Sequence, residues 1–165
     1  MLFRSYAYGR QGNPTTAALE SKITKMEDGV ATACFSTGMA AIAAIFFALL
    51  RKGDHVVSSA FLFGNTNSLF GTFDALGCDI DFVDATDVKN VAAAITPQTR
   101  LVFVETIANP RTQIADLAAI GELCREKKLL YVVDNTMTTP YLYLPKRHGA
   151  GLVVNSLTKI GRAHV

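Results

Sequence analysis

The sequence predicts an α/β fold, a mostly parallel sheet with helices on both faces, and three observations carry that reading. Short apolar runs alternate with longer segments of helical pattern along the 165 residues. Runs such as Leu101-Val102-Phe103-Val104 and Leu152-Val153-Val154 are continuously apolar, as strands covered on both faces are. Several runs then empty into polar residues, and the carboxyl ends of strands are where open α/β sheets bind ligands.

In order, Asn13-Pro14-Thr15 forms a turn into a helix over 16–28, with Gly29 as its stop. A strand is predicted over 31–35, broken at Ser36-Thr37-Gly38, and the apolar run 39–50 continues as a helix. The turn at Gly53-Asp54 leads to a strand over 55–59 and a helix over 64–75 ending at Gly77. Strands over 80–83, 101–105 and 129–133 alternate with helices over 88–95 and 116–127. The last strand starts at Leu152 and runs out through Asn155-Ser156-Leu157-Thr158-Lys159. This alternation predicts βαβ units joined by right-handed crossovers.

Half the residues are hydrophobic, enough for one domain with a real core. A net charge of +2 with both signs scattered leaves no basic patch for nucleic acid or an anionic membrane, so the expected partner is a small molecule. The longest apolar stretch, 39–50, is too short to span a bilayer, and a cytoplasmic location is expected. Cys34, Cys78 and Cys124 are far apart, with neither disulfide nor metal spacing, and read as core residues. His55 opens a strand and is assigned no chemistry.

Three strand ends carry polar residues that a core does not need: Glu105 with Asn109, Asp134 with Asn135, and Ser156 with Thr158 and Lys159. In a parallel sheet they share one edge with the Thr37-Gly38 helix start, where unpaired N–H groups favour an anion. Each has a plainer alternative: Thr37 as an ordinary N-cap, Asp134 as a turn cap, Lys159 as a solvated lysine. One cofactor uses them together. Pyridoxal phosphate needs a lysine for its aldehyde, a carboxylate for its ring nitrogen, and N–H and hydroxyl donors for its phosphate. A lysine among apolar neighbours has its ammonium form disfavoured, which frees the amine for a carbonyl. Neither G-x-x-x-x-G-K-[ST] nor G-x-G-x-x-G follows a strand, so nucleotide motifs are absent.

Tyr8-Gly9-Arg10 with Asn13-Pro14-Thr15, Thr37-Gly38-Met39, Glu105 through Asn109-Pro110, Asp134-Asn135-Thr136 and Ser156-Leu157-Thr158-Lys159 resemble, in order and spacing, the Cys/Met-metabolism family of pyridoxal-phosphate enzymes. The family includes cystathionine γ-synthase, O-acetylhomoserine sulfhydrylase and methionine γ-lyase. The resemblance implies an incomplete aspartate-aminotransferase-like (fold type I) large domain, in a homotetramer built of tight dimers. Lys159 looks like the Schiff-base and catalytic lysine, Asp134 the ring-nitrogen partner, and Asn109 a neighbour of the ring hydroxyl. Gly38, Met39, Ser156 and Thr158 would hold the phosphate, while Tyr8 and Arg10 would reach the phosphate of the adjacent subunit.

Two departures matter. Phe63 stands where the family usually stacks a Tyr on the ring, so the phenol that relatives are thought to use in leaving-group protonation is missing. Asn65 stands where dedicated methionine γ-lyases carry Cys, which disfavours the lyase. The implied activity is γ-replacement on an O-acyl-homoserine, with γ-elimination and a non-catalytic α/β domain as alternatives.

The two ends depart from the family pattern. Ile160-Gly161-Arg162-Ala163-His164-Val165 is what a widely used sequencing adapter encodes, ATC GGA AGA GCA CAC GTC. Its reverse complement reads Met1-Leu2-Phe3-Arg4-Ser5 from a GTG start. Residues 6–159 are therefore expected to be an internal piece of a larger gene, and 1–5 and 160–165 adapter-derived. The polypeptide as written is expected to be aggregation-prone and inactive.

Overall fold

A computed structural model describes Tyr8, Gly9 and residues 12–159. Arg10 and both ends assigned to adapter lie outside the described residues. The first helix, α1 (Pro14–Met26), starts two residues earlier than its pattern suggests. The Asn13 side chain accepts from the Thr15 and Thr16 N–H groups, and Pro14 needs no donor partner at a first-turn position. Next come α2 (Gly38–Leu49), β1 (His55–Ser59), α3 (Gly64–Ala75), β2 (Asp79–Val83), α4 (Val88–Ala94) and β3 (Thr99–Glu105). The chain continues through α5 (Leu117–Lys127), β4 (Leu130–Asp134), the short α6 (Thr139–Leu142), a 3-10 turn at Pro145–His148 and β5 (Leu152–Val154).

The five strands form one sheet in the order β2-β1-β3-β4-β5, every adjacent pair parallel. Period-2 alternation sorts its side chains into two cores. Val56, Leu101, Phe103, Val132 and Val154 face α2 and α3, where Ile42, Phe46, Phe70 and Phe73 meet them. Val57, Val102, Val104, Tyr131 and Val133 face α4 and α5, against Val91, Leu117, Ile120 and Cys124. Phe46 and Phe70 stack at 4.8 Å, and Phe103 meets both rings edge-on at 6.0 and 5.3 Å. Burying each such ring is worth about 1.5–3 kcal/mol. Gly121 is required by packing: a Cβ there would lie 1.7 Å from the His148 carbonyl oxygen.

The strand predicted over 31–35 does not form. That segment runs without regular structure and pairs with no described strand. Its Cys34 N–H is taken by the Glu20 Oε1, 2.9 Å away, and Thr32 meets Thr24 hydroxyl to hydroxyl at 2.8 Å. β-Propensity alone makes no strand, because a strand also needs a neighbour to accept its ladder bonds. A groove of about 870 Å³, lined by both elements, separates this segment from β5. Cys78 and Cys124 are buried as expected, whereas Cys34 is half-buried on that groove. No described helix is long and apolar enough to cross a membrane.

Candidate active site

The three strands with polar ends stop in a single row. Glu105 is the register partner of Asp134, and Asp134 of Val154. The ladder reaches one step further, with Thr106 N–H donating to the Asp134 carbonyl (3.0 Å) and Asn135 N–H to the Val154 carbonyl (2.8 Å). Beyond that, the chains separate into turns that carry the candidate groups.

Asp134 Oδ1 accepts the Thr136 N–H at 2.9 Å. The turn-cap reading of Asp134 is therefore realised. Burial pushes Asp134 above its ordinary pKa, against the lowering effect of the Thr136 bonds. A cationic ring nitrogen beside it would pull it back towards the ionised form. Glu105, 7% exposed, is pushed up to about 7, first by burial and also by the neighbouring Asp134, against hydrogen bonds from the Phe63 and Asn109 N–H groups. Two carboxyls raised by burial side by side at one sheet edge make that edge a candidate for a functional site.

Gly38 opens α2 directly against Ser156: a Cβ on Gly38 would lie 2.8 Å from Ser156 Cβ and 3.0 Å from its Oγ. Only glycine lets the helix start approach this closely. Thr37 Oγ1 accepts from Ala40 N–H at 3.0 Å, the ordinary N-cap. The N–H groups at Gly38 and Met39 are among those a helix leaves without intrahelical partners, the donors an anion can use. Ser156 N–H donates to Thr136 Oγ1 at 2.9 Å, tying the β5 turn to the Asp134 turn. Met39 packs on the aromatic core, and its sulfur accepts from Thr66 at 3.8 Å.

Lys159 Nζ lies 5.6 Å from the centre of the Phe63 ring. Phe63 N–H donates to Glu105 Oε1 at 2.8 Å, so the end of β3 anchors the residue whose ring faces the lysine. One expectation fails here, because Lys159 is exposed and not enclosed by apolar neighbours. It sits in a turn beyond β5, the outermost strand among the described residues. Thr158 beside it is also exposed and lines the groove. Asn109 is exposed in the loop after β3, with its backbone N–H towards Glu105. Tyr8 lies in the N-terminal turn, 54% exposed, its carbonyl accepting from Gly12 N–H at 3.1 Å.

Sequence reasoning named Glu105 but gave it no role. It missed Glu27, whose buried carboxyl meets the Asn135 and Asn155 side chains. Among the described residues no group of three or more His, Cys, Asp or Glu could hold a metal ion. An amine, a carboxyl, hydroxyls and a helix start converging on one sheet edge fit the donor set that pyridoxal phosphate needs.

Comparison with known proteins agrees. The model of the Cys/Met metabolism PLP-dependent enzyme family matches residues 3–164. An L-methionine gamma-lyase of Fusobacterium nucleatum subsp. polymorphum is 41% identical over 96% of this chain and 41% of its own length. A cystathionine gamma-synthase of Mycobacterium bovis is 42% identical over 96% of this chain and 41% of its own. Among solved structures, a Campylobacter jejuni protein described as an O-acetylhomoserine (thiol)-lyase, carrying N′-pyridoxyl-lysine-5′-monophosphate, superposes with a TM-score of 0.87. It is 31% identical, over 92% of this chain and 37% of that one. The chain thus spans about two fifths of the length of these relatives. With this fold, this row of strand ends and a family match along nearly its whole length, the chain belongs to the Cys/Met metabolism family of pyridoxal-phosphate-dependent enzymes.

Proposed function

We propose that this chain supplies the cofactor-binding part of an enzyme that performs γ-replacement on an O-acyl-homoserine. The Cγ–O bond breaks and a carboxylate leaves; a Cγ–S bond forms with sulfide or the thiol of cysteine, giving homocysteine or cystathionine. Pyridoxal phosphate, when bound, supplies the electron sink for this chemistry. Lys159 Nζ anchors the cofactor's aldehyde, then takes the substrate's Cα proton and carries protons at Cβ. Asp134 keeps a proton on the ring nitrogen, and Glu105 holds Phe63 in place to stack on the ring. Gly38 and Met39, through their backbone N–H groups, and the hydroxyls of Ser156 and Thr158 take the phosphate, while Asn109 neighbours the ring hydroxyl. Tyr8 and Arg10 complete the phosphate site of a second copy, in a cytoplasmic dimer of dimers.

Asn65, at the exposed start of α3, is the observation that favours replacement over methionine cleavage. γ-Elimination is the second reading, since the lyase and the synthase are 41% and 42% identical to this chain and so are not separated by overall similarity. The test is to supply O-acetylhomoserine, with and without sulfide, to a protein of the relatives' length that carries this segment. Homocysteine formed only with sulfide supports replacement. Ammonia and a keto acid released at the same rate without sulfide would assign elimination, and no turnover of either kind would leave the non-catalytic alternative.

A further inference from the structure

Glu27 closes α1 at its C-terminal end, yet is 7% exposed. Its Oε1 accepts two amide hydrogen bonds, from Asn135 Nδ2 at 3.1 Å and from Asn155 Nδ2 at 2.7 Å. Asn135 directly follows Asp134 at the end of β4, and Asn155 directly follows Val154 at the end of β5. One oxygen therefore joins the first residues after two adjacent strands, at the level where their backbone ladder stops. Past that level, the Ser156–Thr136 bond and this carboxyl are the links between the two turns that the structure shows.

The same residue carries a cost. Glu27 Oε2 and Asn155 Oδ1 are buried with no hydrogen-bond partner in the structure, and buried unpaired polar atoms are disfavoured. A glutamate after a helix has a cheaper option, which is to point into water. Asn135 is fixed from its other sides too, donating to the Tyr143 carbonyl at 3.0 Å and accepting from the Thr138 hydroxyl. Asn135 is thus held by three side-chain hydrogen bonds, and Glu27 links it to Asn155, which directly precedes the turn bearing Ser156 and Lys159.

We infer that Glu27 is a positioning residue of the cofactor site, its Oε1 setting the spacing between Asp134 and the Ser156–Lys159 turn. The inference rests on the pyridoxal-phosphate reading for its consequence, though not for the bridge itself. Glutamine keeps the accepting Oε1 and alanine removes it, so Glu27→Gln and Glu27→Ala separate the bridge from charge.

The experiment compares both variants and Asn155→Ala with the parent, in a protein of the relatives' length. In the cofactor-free proteins, amide hydrogen exchange at Asn135 and Ser156 is expected to be about tenfold faster in Glu27→Ala and near parental in Glu27→Gln. With pyridoxal phosphate added, the visible circular dichroism band should fall by about half or more in Glu27→Ala and be kept in Glu27→Gln. If Glu27→Ala does not fold, Asn155→Ala decides, with faster exchange at Ser156 expected. Parental exchange in whichever alanine variant folds, or equal loss in the glutamine and alanine variants, would overturn the bridge. A parent that shows no cofactor band would overturn the reading beneath it, while the exchange rates would still judge Glu27.

Discussion

The two ends of this sheet handle charge in opposite ways. At the amino end, polar groups close on one another. Arg100 Nε donates to Asp54 Oδ1 at 2.7 Å, Asp54 Oδ2 accepts from Arg51 N–H at 2.8 Å, and His55 Nδ1 meets Thr99 Oγ1 at 2.7 Å. The Arg100 hydrogen bond holds the Asp54 carboxyl below its ordinary range. At the carboxyl end of the same strands, Glu105 and Asp134 lie side by side, and both are pushed up by burial. The strands are the same, so the difference comes from the turns and loops attached at each end. A paired end stabilises the fold, whereas Glu105 and Asp134, which receive only backbone and hydroxyl donors, leave capacity for a ligand.

The largest expected effect breaks the carboxyl end. In a protein of the relatives' length, Lys159→Ala should lose at least about a thousandfold in turnover, since in the proposed function one amine supplies both anchor and base. Turnover above about one per cent of the parent would remove Lys159 from its role.

Next is Glu105, whose folded pKa of about 7 lies above its ordinary 4.5. The folded state therefore holds a proton that the unfolded chain releases first, and stability should fall as pH rises from about 4.5 to 7. The full loss is about 3 kcal/mol in the cofactor-free protein. Urea unfolding at a series of pH values measures it, and Glu105→Gln should flatten the slope. A parental slope in that variant would place the pH dependence elsewhere.

Asp134→Asn should leave the cofactor bound but slow exchange of the substrate's α-proton by about a hundredfold, because a neutral amide does not stabilise a charged ring nitrogen. Exchange at the parental rate would make Asp134 a turn cap alone.

The smallest effect sharpens the contrast from the other end. Asp54→Asn should cost at most about 1 kcal/mol, since the Arg100 side chain is 63% exposed and water screens the pair. The lowered Asp54 contributes stability above the ordinary carboxylate range and loses it as pH falls, opposite in sign to Glu105. Cofactor spectra should not change, and a changed spectrum would tie the two ends together.

Much of this contrast is legible in the sequence. Continuous apolar runs fix the strands to within a residue or two, and the polar residues after Val104, Val133 and Val154 mark the edge. What could not be read depends on neighbours in space. Residues 31–35 have strand-like composition, but whether a ladder partner lies alongside is not a local property. Lys159 reads as enclosed when the strand before it is apolar; its exposure follows from β5 being the outermost described strand. Glu27 sits before Asp28-Gly29, which reads only as the stop of a helix, and the fold brings Asn135 and Asn155 to it. Glu105 stands out as a polar strand end, but its hold on Phe63 spans forty-two positions in sequence.

The central claim is that the carboxyl end of this sheet binds pyridoxal phosphate through Lys159. The most direct test adds the cofactor to a protein of the relatives' length that carries this segment, reduces it with borohydride, digests it and locates the modified peptide by mass spectrometry. The account predicts a phosphopyridoxyl group on Lys159, absent from Lys159→Ala and unaffected by Asp54→Asn. Modification spread over other lysines, or unchanged in Lys159→Ala, would contradict it.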